Sequence, residues 1–268
     1  MCVEVNGEVL NYVLCNCPFL EVLRVEASNS LMIFKHSSPL LKLKHLEISH
    51  CINLLIIEIS AINIVSLKYC GCNTTLLLGD VPNLVDLNVS YKYYDLLVNT
   101  PSQISRYLSQ LETLVLKLPV QKYVKFPKFP ELRNLRQLEL IIYAVDVDSL
   151  LCCTSLLKAS PVLHKFAVKL LELKAPAKGK IKVRRAKYPH QCLKVVELIG
   201  FVGCTIDMEL APHVLNNVVS LEKIIIDTRS PDEDMLLDSM DLEKKLAAQT
   251  CARQLETRLP PGVELVIL

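Results

Sequence analysis

Leu43-Lys44-His45-Leu46-Glu47-Ile48-Ser49-His50-Cys51-Ile52-Asn53-Leu54 is the stretch on which the reading of this chain turns. Its leucines and isoleucine follow the spacing L-x-x-L-x-L-x-x-C-x-x-L without a mismatch. In a β-strand, side chains two residues apart share a face and the one between them faces the other way. Leu46 and Ile48 therefore point together to one side and Glu47 to the other, which makes a short strand with one buried face. Cys51 follows at the turn that leaves the strand. A small, weakly donating side chain suits a buried position there.

Outward from this stretch the core pattern, apolar-x-x-apolar-x-apolar, recurs along the chain. It occurs at Leu20/Leu23/Val25, Leu43/Leu46/Ile48, Ile64/Leu67/Tyr69, Leu84/Leu87/Val89, Leu111/Leu114/Leu116, Leu135/Leu138/Leu140, Leu163/Phe166/Val168, Leu193/Val196/Leu198 and Leu221/Ile224/Ile226. The first positions are 23, 21, 20, 27, 24, 28, 30 and 28 residues apart. Chance would give a few such matches in an apolar-rich chain, but not nine in series at this pitch. Repeats of about 20 to 29 residues with this signature are those of leucine-rich repeats. Prolines punctuate them: Pro18-Phe19-Leu20, Pro82-Asn83-Leu84 and Pro161-Val162-Leu163 each set a proline two residues ahead of a row, and Pro39-Leu40-Leu41 precedes a fourth. Proline lacks an amide donor and restricts the residue before it, so it closes one returning segment before the next strand begins. The expected fold is α/β: a leucine-rich-repeat solenoid, or horseshoe, with a parallel sheet on its concave face and irregular or helical segments on its convex side.

Composition agrees with thin, similar layers. Of the 268 residues 51% are hydrophobic, only 6% are aromatic and none is Trp, so the core is built from Leu, Ile and Val. The formal charge of +2 does not suit a surface given over to nucleic acid or to an acidic membrane. The most apolar stretch, 52 to 67, is interrupted by Asn53, Glu58, Ser60 and Asn63, short of the roughly 20 apolar residues of a membrane span. The amino end lacks the pattern of a secretory signal, so the 11 cysteines are expected to be reduced. The expected location is the cytoplasm or nucleus. Cys72 is assigned the same turn role as Cys51.

The later repeats are longer and leave room for helices. Asp148-Ser149 with Leu150, Leu151, Leu156 and Leu157 predicts a capped helix ending at Ser160-Pro161, and Asp207 to Asn216 predicts another. Ser230-Pro231-Asp232-Glu233 has the form of a capping box opening a helix to about Leu255, stopped by Pro260-Pro261-Gly262. Val263 to Leu268 then offers a closing strand, and the two together would cover the last hydrophobic layer. No such cap is expected at the amino end, where Leu10, Val13, Leu14, Cys17 and Pro18 read as the end of a preceding repeat. Something is therefore expected to precede Met1, here or in related chains.

The run Gln191-Cys192-Leu193-Lys194-Val195-Val196-Glu197-Leu198-Ile199-Gly200-Phe201-Val202-Gly203, continuing through Glu209-Leu210-Ala211, Val214-Leu215-Asn216-Asn217 and Leu221-Glu222-Lys223-Ile224, resembles the FBD region of plant F-box/FBD/LRR proteins. Cys17-Pro18-Phe19-Leu20-Glu21-Val22-Leu23 and Leu157-Lys158-Ala159-Ser160-Pro161-Val162-Leu163 resemble the repeats of the same family. The resemblance implies a leucine-rich-repeat region over 1–189 and an FBD-like region over 190–268 that continues and caps the solenoid. It also implies substrate presentation to an SCF ubiquitin ligase, in which an F-box docks on Skp1. The 19 residues before the first row are too few for an F-box, so Skp1 is an expected partner only if that module is supplied upstream. The alternative is a stand-alone or truncated repeat scaffold with no ligase role.

Catalysis has little support. The six histidines, His36, His45, His50, His164, His190 and His213, stand near no nucleophile motif, and no G-x-S-x-G, P-loop or H-E-x-x-H occurs. The C-x-C pairs Cys15/Cys17 and Cys70/Cys72 are spaced too closely for structural zinc. No enzyme activity, metal or cofactor is expected. Seven basic residues between Lys174 and Lys187 read first as a solvated loop, and as a nucleic-acid contact only secondarily. The expected partner is a protein, held on the concave sheet by residues flanking the inward leucines: Arg24, Glu26, His45, Glu47, Lys68, Asp86, Asn88, Ser90, Thr113, Lys117, Gln137, Glu139, Lys165 and Lys169.

Overall fold

Each of the nine apolar rows carries a strand in the computed structural model, which describes residues 4–37, 42–71, 74–90, 107–120, 129–144, 149–171, 189–229 and 242–268. The chain divides into two units, Met1–Leu118 and Pro119–Leu268.

The first unit begins with helix α1 (Gly7–Asn16) and continues through β1 (Val22–Glu26), β2 (Ile33–Ser37), β3 (His45–Ser49), β4 (Ile56–Ser60), β5 (Ser66–Cys70), β6 (Thr75–Leu78), β7 (Asp86–Ser90) and β8 (Thr113–Val120). The row strands β1, β3, β5, β7 and β8 pair in parallel, with Leu23, Leu46, Leu67, Leu87 and Leu114 in register, and Val25, Ile48, Tyr69, Val89 and Leu116 in the next inward row. Equal registry stacks like on like, which is how a chain poor in large rings still closes its core. Ile48, Cys51 and Leu54 are fully buried, and the Cys51 thiol donates to the carbonyl of Ser49 at 3.5 Å, as its turn position requires.

Behind the first three rows the returning segments are strands, where the sequence led us to expect irregular or helical chain. β2, β4 and β6 form a second parallel sheet of three strands, with Phe34, Ile57 and Leu76 in register. Rows here are only 20 to 23 residues apart. Once the strand and two turns are subtracted, an extended segment at about 3.3 Å per residue spans the return where a helix at 1.5 Å would need more chain. At the amino end Leu10 and Leu14, expected to close a preceding repeat, form the buried face of α1, which packs along β2 and is N-capped by Asn6, whose Oδ1 accepts from the amide of Val9 at 2.9 Å.

Side chains at the turns tie each layer to the one before it. Asn53 Nδ2 donates to the carbonyl of Asn29, Asn83 Nδ2 to that of Ile62, and Gln110 Nε2 to those of Val81 and Leu84, all at 2.8 to 2.9 Å. Such bonds satisfy turn carbonyls that have no partner in either sheet. The residue leaving the strand takes positive φ at Ala27 (53°), His50 (57°) and Gly200 (78°). In all three its amide continues the ladder into the next row: to Ser49 from Ala27, to Cys70 from His50 and to Asp227 from Gly200.

In the second unit the order is β9 (Gln137–Ala144), a 3-10 turn at Leu151–Cys153, α2 (Thr154–Ala159), β10 (Lys165–Leu171), β11 (Val195–Ile199), α3 (Thr205–Asn217), β12 (Lys223–Asp227), α4 (Leu242–Arg253), a second 3-10 turn and β13 (Glu264–Ile267). The five strands are parallel, with Leu138, Phe166, Val196, Ile224 and Leu265 in one inward row. Here the described returns, those holding α2, α3 and α4, are helical, as expected from their length. The helix foreseen at Asp148 begins as a 3-10 turn whose Leu151 amide is held by Ser149 Oγ, and it ends at Ser160. β13 is the closing strand foreseen at 263–268. Cys72, Pro39, Asp148, the capping box at 230–233 and the basic run 174–187 lie outside the described residues.

Asp207 fixes the entry to α3. Its Oδ2 accepts from the amides of Val202 and Gly203 at 2.9 Å and of Cys204 at 3.3 Å, and from the Cys204 thiol at 3.6 Å. Oδ1 is buried with no hydrogen-bond partner. Burial pushes this carboxyl up to about 6 against the downward pull of those donors, and burial together with the nearby carboxylate pushes the Cys204 thiol up to about 12.

Candidate interaction face

Strand pleating leaves one side of each sheet of row strands without core contacts, and the candidate residues stand on it in columns fixed by register. In the first unit the central column reads Arg24, Glu47, Lys68, Asn88, Val115 and the column before it Val22, His45, Ser66, Asp86, Thr113. Glu26 lies in register with Ser49 and Cys70, and Ser90 with Lys117. The central charges pair along the ladder. Glu47 takes Arg24 at 3.3 Å on one side and Lys68 at 2.6 Å on the other. Ser66 donates to Asp86 at 2.9 Å, and His50 lies 3.9 Å from Glu26.

In the second unit the columns are Gln137, Lys165, Val195, Lys223, Glu264; Glu139, Ala167, Glu197, Ile225, Val266; and, at the far end, Ile141, Lys169, Ile199 and Asp227. The predicted residues Glu139 and Lys169 pair with each other at 2.8 Å, while Lys165 pairs with Glu197 at 2.9 Å, a residue the sequence reading omitted. Lys223 and Glu264 pair at 3.2 Å. The omitted set, from Val195 to Val266, stands in the same columns as the predicted one. Its signal was present, since the residue between the second and third apolar positions of a row is always outward.

Adjacent charges of opposite sign on neighbouring strands support the sheet by roughly 0.2 to 1 kcal/mol per exposed pair. A pair satisfied within the face demands no counter-charge from a visitor. The side chain of Arg24 is 76% exposed and that of Glu47 only 27%, so the carboxylate serves the ladder and the guanidinium is free to turn outward.

The histidines are placed in structural surroundings. His190 Nδ1 accepts from the amides of Cys192 and Leu193 at 3.2 and 3.1 Å, and its Nε2 meets the carbonyl of Ser160 at 2.8 Å, so the ring braces the turn before β11. It borders a cavity of about 510 Å³ between α2 and α3, together with Leu157, Lys158, His213, Val214 and Val218. Burial holds His213 and His36 below the ordinary imidazole range. Among the described residues no group of three or more His, Cys, Asp or Glu is placed to hold a metal, and no helix is long and apolar enough to cross a membrane.

Parallel row strands in equal register, returning segments behind them and an open face in front define a leucine-rich-repeat protein, a class of interaction scaffold. The particular family follows from comparison: the leucine-rich-repeat domain of the At1g61320/AtMIF1 type matches residues 1–261, and the chain belongs to that family. No curated protein and no solved structure matches the chain.

Proposed function

We propose that this protein-interaction module is the substrate-holding part of a ubiquitin-ligase adaptor of the SCF type. The supporting observation is an open face on each unit, with side chains at fixed register on parallel strands: Arg24 and Glu47 on the first, Lys165 and Lys169 on the second. Predicted contact residues are the fourteen named from the sequence, Arg24 through Lys169, extended by Glu197 and its neighbours. Interface energy is concentrated in few residues, so only a handful of these carry the binding. The likeness of 191–224 to the FBD region supports the link to F-box adaptors, with 1–189 as the repeat region and 190–268 as its FBD-like continuation. The partner is a protein substrate met in the cytoplasm or nucleus, and Skp1 joins through an F-box supplied upstream.

The test is a pull-down with purified Skp1, using this chain and the longer product of any in-frame upstream sequence. Capture by the longer product and not by this chain supports the adaptor role. If neither is captured, the ligase role is wrong and the chain is a scaffold only.

A further inference from the structure

The open face changes character along the second unit. β3, β5 and β7 read His-Leu-Glu-Ile-Ser, Ser-Leu-Lys-Tyr-Cys and Asp-Leu-Asn-Val-Ser, polar at every outward position except Cys70, with single valines, Val22 and Val115, on the flanking strands β1 and β8. β11, β12 and β13 read Val-Val-Glu-Leu-Ile, Lys-Ile-Ile-Ile-Asp and Glu-Leu-Val-Ile. Strands with one wet face alternate, whereas strands covered on both faces run continuously apolar. Val195, Ile199, Ile225 and Val266 stand outward and partly exposed on adjoining strands, Ile225 and Val266 in one column and Val195 and Ile199 diagonal to Ile225.

The surrounding charges are already matched. Lys165 pairs with Glu197, Lys223 with Glu264, and Asp227 with Arg229 at 2.7 Å. No ion pair in this set leaves a net charge, so the patch selects for shape and apolar area and against a charged visitor, which would strip water from paired ions without gaining a partner. Nucleic acid and acidic peptides are disfavoured for that reason.

We propose that the open face of β11, β12 and β13 seats an uncharged aliphatic or aromatic segment of the partner protein, centred on Ile225. This rests on the reading of the face as protein-binding and names the part of it that supplies the affinity. Ile225 has Glu197 and Val266 as its lateral neighbours, with Val195 and Ile199 on the diagonals. The aliphatic side chains would form the dry centre, and the paired ions the wet rim, of an interface of ordinary anatomy.

The experiment uses the full chain against a phage-displayed library of random peptides about 12 residues long, followed by fluorescence anisotropy on the selected peptides. The expected peptides are uncharged and rich in Leu, Ile, Phe or Tyr. Their Kd should rise at least about tenfold with Ile225→Asp and stay within about twofold with Lys35→Gln, on β2 of the other sheet. It should also change little between about 0.05 and 0.5 M NaCl, since no ion pair is exchanged. A circular dichroism melt checks folding. If Ile225→Asp does not fold, Ile225→Thr, which keeps the β-branch, should still weaken binding by at least about threefold. Peptides that are charged, or that lose affinity with Lys35→Gln and not at Ile225, overturn this inference while leaving protein binding by the chain intact. Peptides indifferent to both variants, or the absence of any selected peptide, overturn it as well. The Skp1 pull-down decides the ligase reading separately.

Discussion

The two units solve one problem with different means. In the first unit the returns after β1, β3 and β5 form a second parallel sheet, and the open face carries a charge ladder; in the second unit the described returns are helices, and the open face turns aliphatic at β11 to β13. Repeat length explains the backing. Rows 20 to 23 residues apart have extended returns, and the two described returns between rows 28 residues apart hold a helix. It does not explain the face. Nothing in strand geometry requires Ile225 where the first unit has Lys68, and that difference is the ground of the proposed apolar seat.

The comparison can be broken first where helix and turn approach most closely. Gly203 has φ of +74°, and a Cβ there would lie 2.7 Å from Cys251 Cβ on α4. Gly203→Ala should cost about 2 to 4 kcal/mol in denaturant unfolding, from backbone strain and overpacking together. Gly262, at φ +85° with nothing within 4 Å of an added Cβ, supplies the control. Gly262→Ala carries the backbone strain alone, so it should cost about 1 to 2 kcal/mol. Equal losses at the two sites would show that α4 does not press on the turn.

Next in size is the pH response of the second unit. Asp207 is raised from 3.8 to about 6 on folding, so the folded state holds its proton more tightly than the unfolded one. Its contribution is then fully present below about pH 4 and is lost as pH rises through 6, by about 2 to 3 kcal/mol. Asp227, held low by Arg229, acts in the opposite sense: its stabilisation is present above about pH 4 and is lost only as the pH falls further. His36 and His213, held low by burial, act as Asp227 does and gain stability as pH rises through the imidazole range, so unfolding curves between pH 4 and 8 should slope more steeply upward in Asp207→Asn than in the parent chain. An unchanged slope in that variant would mean another group titrates.

In the first unit Tyr69 replaces the aliphatic residue of its row and spends its hydroxyl on Thr74, whose own oxygen reaches the carbonyl of Leu54. An added Cβ on Gly71 would collide with the ring, so that glycine makes room for the tyrosine. Tyr69→Phe should cost about 1 kcal/mol. The smallest effect belongs to the ladder: Glu47→Gln should lower stability by less than about 1 kcal/mol, less still in high salt. A larger loss there would mean that the first unit depends on its face for stability as the second does not.

Much of this was legible because a row has a fixed grammar. Leu46 and Ile48 announce a strand wherever the same spacing recurs, and all nine strands lie where their rows stand. The helices over 154–159 and 205–217 were readable from caps and apolar spacing. β2, β4 and β6 were not legible as a second sheet: Phe34/His36, Ile57/Ile59 and Leu76/Leu78 alternate as strands do, but a short apolar run fits an irregular return equally well. Ile225 of β12 was marked as outward by its place between two inward isoleucines, yet its side chain is that of a core residue.

The sequence by itself determined the repeat, its pitch and the inward rows, since period and side-chain alternation are local properties of the chain. Only the tertiary structure decided that the short returns pair with one another as a sheet, that Glu47 is shared between Arg24 and Lys68, and that Val195, Ile199, Ile225 and Val266 meet on one face. Those facts join residues 20 to 40 positions apart, and the register that brings them together exists only once neighbouring layers have stacked.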